Sequence, residues 1–106
     1  MAERKPPKHL NATGRAYWRA VLRSYGLEEH HIAILTTACE ALDRAAQARE
    51  VIEKVGVLIA PKGGGMVRQN PAVRVEKDAQ LVFLRAQKEL GLDLEPAGPV
   101  GRPPGR

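Results

Sequence analysis

The chain has little of what stabilises small secreted domains or arms enzymes. Its 106 residues include one cysteine, Cys39, so no internal disulfide forms and a reducing compartment is the default. Aromatic residues make up 4%, with a single Trp and a single Phe. That is thin for an all-β sandwich but sufficient for a helical protein built on Leu, Val, Ile and Ala. No apolar run approaches the ~20 residues needed to span a membrane. The amino-terminal charges are not followed by the apolar stretch of a signal peptide. The expectation is a soluble cytoplasmic protein of one small domain, with a modest core that oligomerisation would enlarge.

Catalytic groups are equally sparse. His30 and His31 are adjacent, so on a helix they point about 100° apart and do not chelate one metal in the i, i+4 manner. They read as surface or half-buried histidines. Cys39 lies on an apolar seam with no activating base and reads as a small core residue. Lys62-Gly63-Gly64-Gly65 reverses the order of a phosphate loop, in which the lysine follows the glycines and opens a helix. It reads as turn chemistry. Glu40 with Asp43, and Glu50 with Glu53, read as solvated pairs on a helix surface. The expectation is a protein that is not an enzyme and needs neither metal nor cofactor.

What is present is positive charge, unevenly placed. The formal net charge is +5. Residues 1–25 carry Arg4, Lys5, Lys8, Arg15, Arg19 and Arg23 against Glu3 alone, whereas residues 26–60 are net acidic. A basic amino-terminal quarter fits a polyanionic partner, most often nucleic acid, or else a solubilising arm with no partner.

The patterning predicts a mainly α fold. Residues 1–10, with Pro6 and Pro7, read as a flexible basic arm. A first helix over about 12–25 is capped by Asn11 or Thr13 and ends at Gly26. Arg15, Arg19 and Arg23 recur every four residues and form one stripe along it. A second helix over about 28–55 starts with Glu28 and Glu29, the sign that the helix dipole prefers. It carries Ile32, Leu35, Cys39, Leu42, Ala46, Ile52 and Val55 as an apolar seam. A helix this long in so short a chain leaves apolar surface for neighbouring subunits. Ile32, Leu35, Leu42 and Ile52, with Val82 and Phe83 of the third helix, are the expected subunit contacts. Residues 57–68 predict a short β-hairpin, because Val57, Leu58 and Ile59 favour strands and Gly63–Gly65 permit a tight turn. A third helix over about 71–90 opens on Asn70-Pro71, buries Val73, Val75, Ala79, Val82, Phe83, Ala86 and Leu90, and ends at Gly91. Residues 11–92 are expected to form a single helical domain for oligomerisation and DNA binding. Residues 93–106, rich in Pro and Gly, read as a disordered tail.

Lys and Arg neutralise phosphates without reading sequence. The expected DNA contacts are Arg4, Lys5 and Lys8 in the arm, Arg15, Arg19 and Arg23 on the first helix, and Lys62 and Arg68 in the hairpin. Trp18 and Tyr17 fit packing better than base stacking. Arg74, Lys77, Arg85 and Lys88 form a solvated face or pair with Glu40, Asp43, Glu50 and Glu53 of another helix or subunit.

An ordered set of segments resembles a known family. Pro6-Pro7-Lys8-His9-Leu10, Gly14-Arg15, Trp18-Arg19, Leu35 through Arg44, Asn70-Pro71-Ala72, Arg74, Glu76, Phe83-Leu84-Arg85 and Leu90-Gly91-Leu92 are together similar to the small subunit of a phage terminase, of the type found in long-tailed temperate phages. The resemblance implies a helical protomer that closes into a ring without a catalytic site. It implies double-stranded viral DNA and the large terminase subunit, which carries the ATPase and nuclease, as partners, in the cytoplasm of the infected bacterial host. A separate helix-turn-helix domain, which some small terminases carry, is not evident. The alternatives are a small dimeric helical DNA-binding regulator and a purely structural virion protein.

Overall fold

The computed structural model describes residues 4–92. The expected tail at 93–106 and the first three residues of the expected arm lie outside the described residues. The elements are α1 (Ala12–Ser24), α2 (Glu29–Val55), β1 (Leu58–Ile59), β2 (Arg68–Gln69) and α3 (Pro71–Glu89). The fold is mainly α with a short antiparallel hairpin between the second and third helices, as the patterning predicts.

Local chemistry explains most boundaries. At the start of α2 the Glu28 backbone N–H donates to Nδ1 of His31 at 3.2 Å, one half of a capping box. Gly56 ends α2 at φ 102°, a left-handed value that glycine adopts without a Cβ penalty. Asn70 caps α3: its Oδ1 accepts from the Ala72 N–H at 3.0 Å, with Pro71 at the first helical position. The same residue closes the base of the hairpin. Its backbone N–H donates to the Val57 carbonyl at 2.7 Å and its Nδ2 to the Gly56 carbonyl at 2.8 Å. Leu58 pairs with Gln69 and Ile59 with Arg68, and Gly64 and Gly65 supply the positive φ of the turn. The start of α1 departs from expectation: Asn11 holds the cap position, yet no side-chain cap bond forms there.

α2 and α3 lie side by side as an antiparallel helical hairpin. Gly56 and Asn70 meet at its tip, and Leu35 and Leu90 share a core at its base. α1 packs on α2 at that base, where Leu10, Trp18, Val21, Leu35, Cys39 and Leu90 form the core. Beyond that core, the buried apolar residues of the two long helices are Ala38, Ala41, Ala48 and Ile52 of α2 and Ala79 and Ala86 of α3, most of them alanine. Small side chains let the backbones approach closely and leave a thin apolar layer.

This geometry corrects several sequence expectations. Leu35 is fully buried and Ile52 nearly so, so neither offers surface to another subunit. Ile32 packs against the core, and Phe83 meets the Tyr17 ring edge-on with centroids 5.1 Å apart. Leu42 is half-buried, while Val82 lies at the surface. Val55 and Val75, expected on buried seams, are exposed. The reason is that α2 is gripped from two sides, by α1 around Cys39 and by α3 around Ala38, Ala41 and Ala48. Its buried arc is therefore broader and rotated relative to a single i, i+3, i+4 stripe.

Candidate nucleic-acid interface

The described part of the basic arm does not project from the body. Leu10 is buried at 2% exposure and anchors the segment in the core. The Trp18 indole N–H donates to the Arg4 carbonyl at 3.5 Å, and the Arg15 guanidinium donates to the Lys8 carbonyl at 2.9 Å. Arg4 reaches Glu29 at 2.7 Å, and the His9 Nε2–H donates to Glu40 at 2.7 Å. Both pairs are exposed to solvent, so they orient the segment more than they stabilise it.

Docking the segment this way gathers the positive charge. Arg4, Lys5 and Lys8 come alongside Arg15 and Arg19 around a groove of ≈ 380 Å³, with Pro6, Trp18 and Leu22 also in its lining. Arg23 continues the line into an adjoining depression that shares Arg4, Arg19 and Leu22. Among the described residues no carboxylate lies within 4.0 Å of Lys5, Lys8, Arg15, Arg19 or Arg23. Six of the eight residues expected to contact DNA are thus brought together. The other two, Lys62 and Arg68, sit in the hairpin at the far end of α2, a helix of ~40 Å at 1.5 Å per residue. Trp18 is buried in the core, which leaves it no face for stacking on a base. The Tyr17 hydroxyl is also buried, without a hydrogen-bond partner among the described residues. Burial raises its pKa; nearby Gln87 offsets part of that rise although the pair falls short of hydrogen-bond geometry.

The groove is held in place by a residue that sequence reasoning missed. Asp43, read there as half of a solvated pair with Glu40, is 7% exposed. Its Oδ2 accepts from the Asn11 N–H and its Oδ1 from the Gly14 N–H, each at 2.7 Å. A carboxylate from α2 therefore takes the role expected of an Asn11 or Thr13 side chain. It satisfies free N–H groups of the first turn of α1 and sets negative charge at the positive end of the helix dipole. Two signals pointed to it. Asp43 continues the four-residue line of Leu35 and Cys39, and Gly14 places a residue with no side chain in the first turn of α1, where another element comes close.

Of the two readings of the α3 cations, the protomer shows the exposed face: Arg74, Lys77, Arg85 and Lys88 are all exposed, and the ion pair that joins α2 to α3 has the opposite sense. Arg49 of α2 donates twice to Glu76 of α3, at 2.9 and 2.8 Å, and Arg74 approaches Asp78 of its own helix at 4.0 Å. Cys39 is fully buried, and burial, followed by the Asp43 and Glu40 carboxylates, pushes its thiol pKa up to about 12. It is a packing residue, without the thiolate that nucleophilic chemistry requires. His30 and His31 lie with ring centroids 4.1 Å apart on the first turn of α2. Among the described residues no group of three or more His, Cys, Asp or Glu side chains is arranged to hold a metal ion. No described helix is long and apolar enough to cross a membrane.

A family model described as phage terminase, small subunit, covers residues 14–98. Arg15, Arg19 and Arg23 fall inside the matched span, and Arg4, Lys5 and Lys8 lie before it. No curated protein and no solved structure matches the chain. With most of its length matched by that family model, the chain belongs to the phage terminase small-subunit family, and so to the machinery of phage DNA packaging.

Proposed function

We propose that the protein is a non-catalytic DNA-presenting subunit, which assembles into a ring, holds viral duplex DNA by its phosphates and recruits and regulates the large terminase subunit. The observation that carries this reading is the convergence of Arg4, Lys5, Lys8, Arg15 and Arg19 on one groove, with Arg23 beside it. Cations drawn from two segments and facing solvent neutralise phosphates and release counterions, whatever the base sequence.

Base readout by a recognition helix is disfavoured by the packing of α2. It starts on the N-cap Glu28 with Glu29 in its first turn, and its middle is packed between α1 and α3. A helix that enters the major groove needs an exposed face with donors and acceptors for base edges. Phosphate contacts that are individually weak gain strength when a ring repeats them. A closed ring also gives the small core of each protomer further apolar burial.

Two measurements on the purified protein test the proposal. Light scattering at moderate salt is expected to give one species of roughly seven or more subunits, a size that closed cyclic assemblies reach and small regulators rarely do. Fluorescence anisotropy with duplex DNA is expected to show affinity that falls steeply with salt and depends weakly on sequence. A clean dimer with tight, sequence-selective binding would replace this reading with that of a dimeric regulator.

A further inference from the structure

The end of the molecule opposite the basic groove has a composition that DNA binding does not explain. From Lys54 to Val75 the chain carries Lys54, Lys62, Arg68 and Arg74 and no carboxylate. The hairpin in this stretch exposes large apolar side chains from both arms: Met66 is 83% exposed, Leu58 61%, and Val57 and Val67 about half. Beside it, between α2 and α3, runs an apolar groove of ≈ 380 Å³ lined by Val51, Pro71, Ala72 and Val75 over Ala48. The carboxylate nearest along α3, Glu76, is held by Arg49.

We infer that this tip is a docking surface for another protein, specifically for a segment that carries carboxylates beside apolar side chains. Duplex DNA needs cations from its partner and leaves Leu58, Met66 and Val67 in water, so the apolar exposure has no use there. A protein segment dehydrates them, and a contiguous exposed apolar patch rimmed by charge is the usual mark of such a contact. The cations set the sign of the partner: carboxylates are attracted, and the tip of a second copy, whose Lys54, Lys62 and Arg68 likewise have no carboxylate within 4.0 Å among the described residues, is repelled. Lys62 and Arg68 accordingly serve this contact and not the DNA. Because the tip and the basic groove lie at opposite ends of α2, both partners can be held at once. The proposal rests on the packaging reading only for the choice of partner to test.

The probe is the purified large terminase subunit encoded by the same phage. Its binding to the full chain is measured by biolayer interferometry, with duplex DNA binding and mass in solution recorded on the same samples. Two variants keep the test independent of folding: Leu58→Ser with Met66→Ser, and Lys62→Glu with Arg68→Glu. All four positions are exposed and outside the core. Each variant is expected to bind the large subunit at least tenfold more weakly, with DNA binding and mass unchanged. Arg15→Ala, Arg19→Ala and Arg23→Ala together are expected to do the reverse. Large-subunit binding unchanged in both tip variants overturns the proposal and leaves the packaging reading intact. Loss of DNA binding in the tip variants makes the tip a DNA surface. A fall in mass makes it a contact between copies. If the unaltered chain fails to bind the large subunit at all, the recruitment part of the proposed function falls together with this inference.

Discussion

Gly14 and Asp43 are in direct contact across two helices: the Gly14 N–H donates to Oδ1 at 2.7 Å, and a Cβ built on residue 14 would stand 2.6 Å from Oδ2 and 2.8 Å from the Cys39 carbonyl oxygen. Helix propensity alone favours alanine over glycine inside a helix by about 1 kcal/mol. Here sterics win, because the Cys39 carbonyl belongs to the backbone of α2 and cannot rotate away. Gly14→Ala is expected to destabilise the fold by roughly 2 kcal/mol or more, read as a fall in midpoint in urea unfolding. A gain in stability would show that α1 can slide on α2 without penalty.

Removing the carboxylate should cost more than filling the space beside it. Asp43→Ala strands two N–H groups, one buried and one partly buried, at about 1–3 kcal/mol each. Asp43→Asn keeps one carbonyl acceptor and is expected to fall between Ala and the parent. The ranking of the three chains in denaturant unfolding checks this. Equal stability of the Asn and Ala variants would mean that the charge, through the helix dipole, matters more than the number of acceptors.

The stripe on α1 makes a prediction about salt. Arg15, Arg19 and Arg23 are exposed and lie outside the core, so replacing all three with Ala should leave the fold and the assembly unchanged. The slope of log affinity for duplex DNA against log salt is expected to shrink by about 0.9 for each phosphate that is no longer neutralised. An unchanged slope would remove α1 from the DNA surface and leave only the docked segment of Arg4, Lys5 and Lys8.

Cys39 couples stability to alkaline pH. Its thiol ionises at 9.0 in the unfolded reference and is pushed up to about 12 in the folded chain. The unfolded state therefore releases a proton first as pH rises. The stability that comes from keeping the thiol neutral is complete below pH 9 and is lost between there and about 12, by at most ~1.4 kcal/mol per pH unit. Thermal unfolding of Cys39→Ala should start from a lower midpoint, since a core atom is gone, but decline less steeply above pH 9. In the parent chain the thiol should react with a disulfide reagent only upon unfolding. Rapid labelling of the folded protein would contradict the burial of Cys39.

Local signals carried the elements, and long-range contacts carried what the sequence hid. Asn70-Pro71, Gly56 and the glycine run at 63–65 each act within a few residues, so the three helices and the hairpin between them were legible in order and nearly in extent. The double grip on α2 was not. Periodicity reports that a helix has an apolar side, but not that two neighbours share it, so Leu35 and Ile52 read as subunit contacts while lying inside the protomer. Asp43 was hidden for the same reason: its partners, Asn11 and Gly14, are about thirty residues away in the chain. The basic residues of the site were legible by type. That they form one groove depended on Leu10, a single apolar residue whose burial turns an apparent arm into a wall of the site.

The alanine seam between α2 and α3 has a mechanical consequence. Where large side chains interlock, a helix pair holds its spacing by shape; where alanines face each other, spacing is set almost by backbone contact alone. The span from Asp43 to Gly56 acts as a rod of ~20 Å, so a tilt of about 10° at the base would carry the hairpin sideways by some 3 Å. A methyl group added at Ala41 or Ala48 would act as a shim, changing the reach of the protein while leaving both of its ends chemically intact.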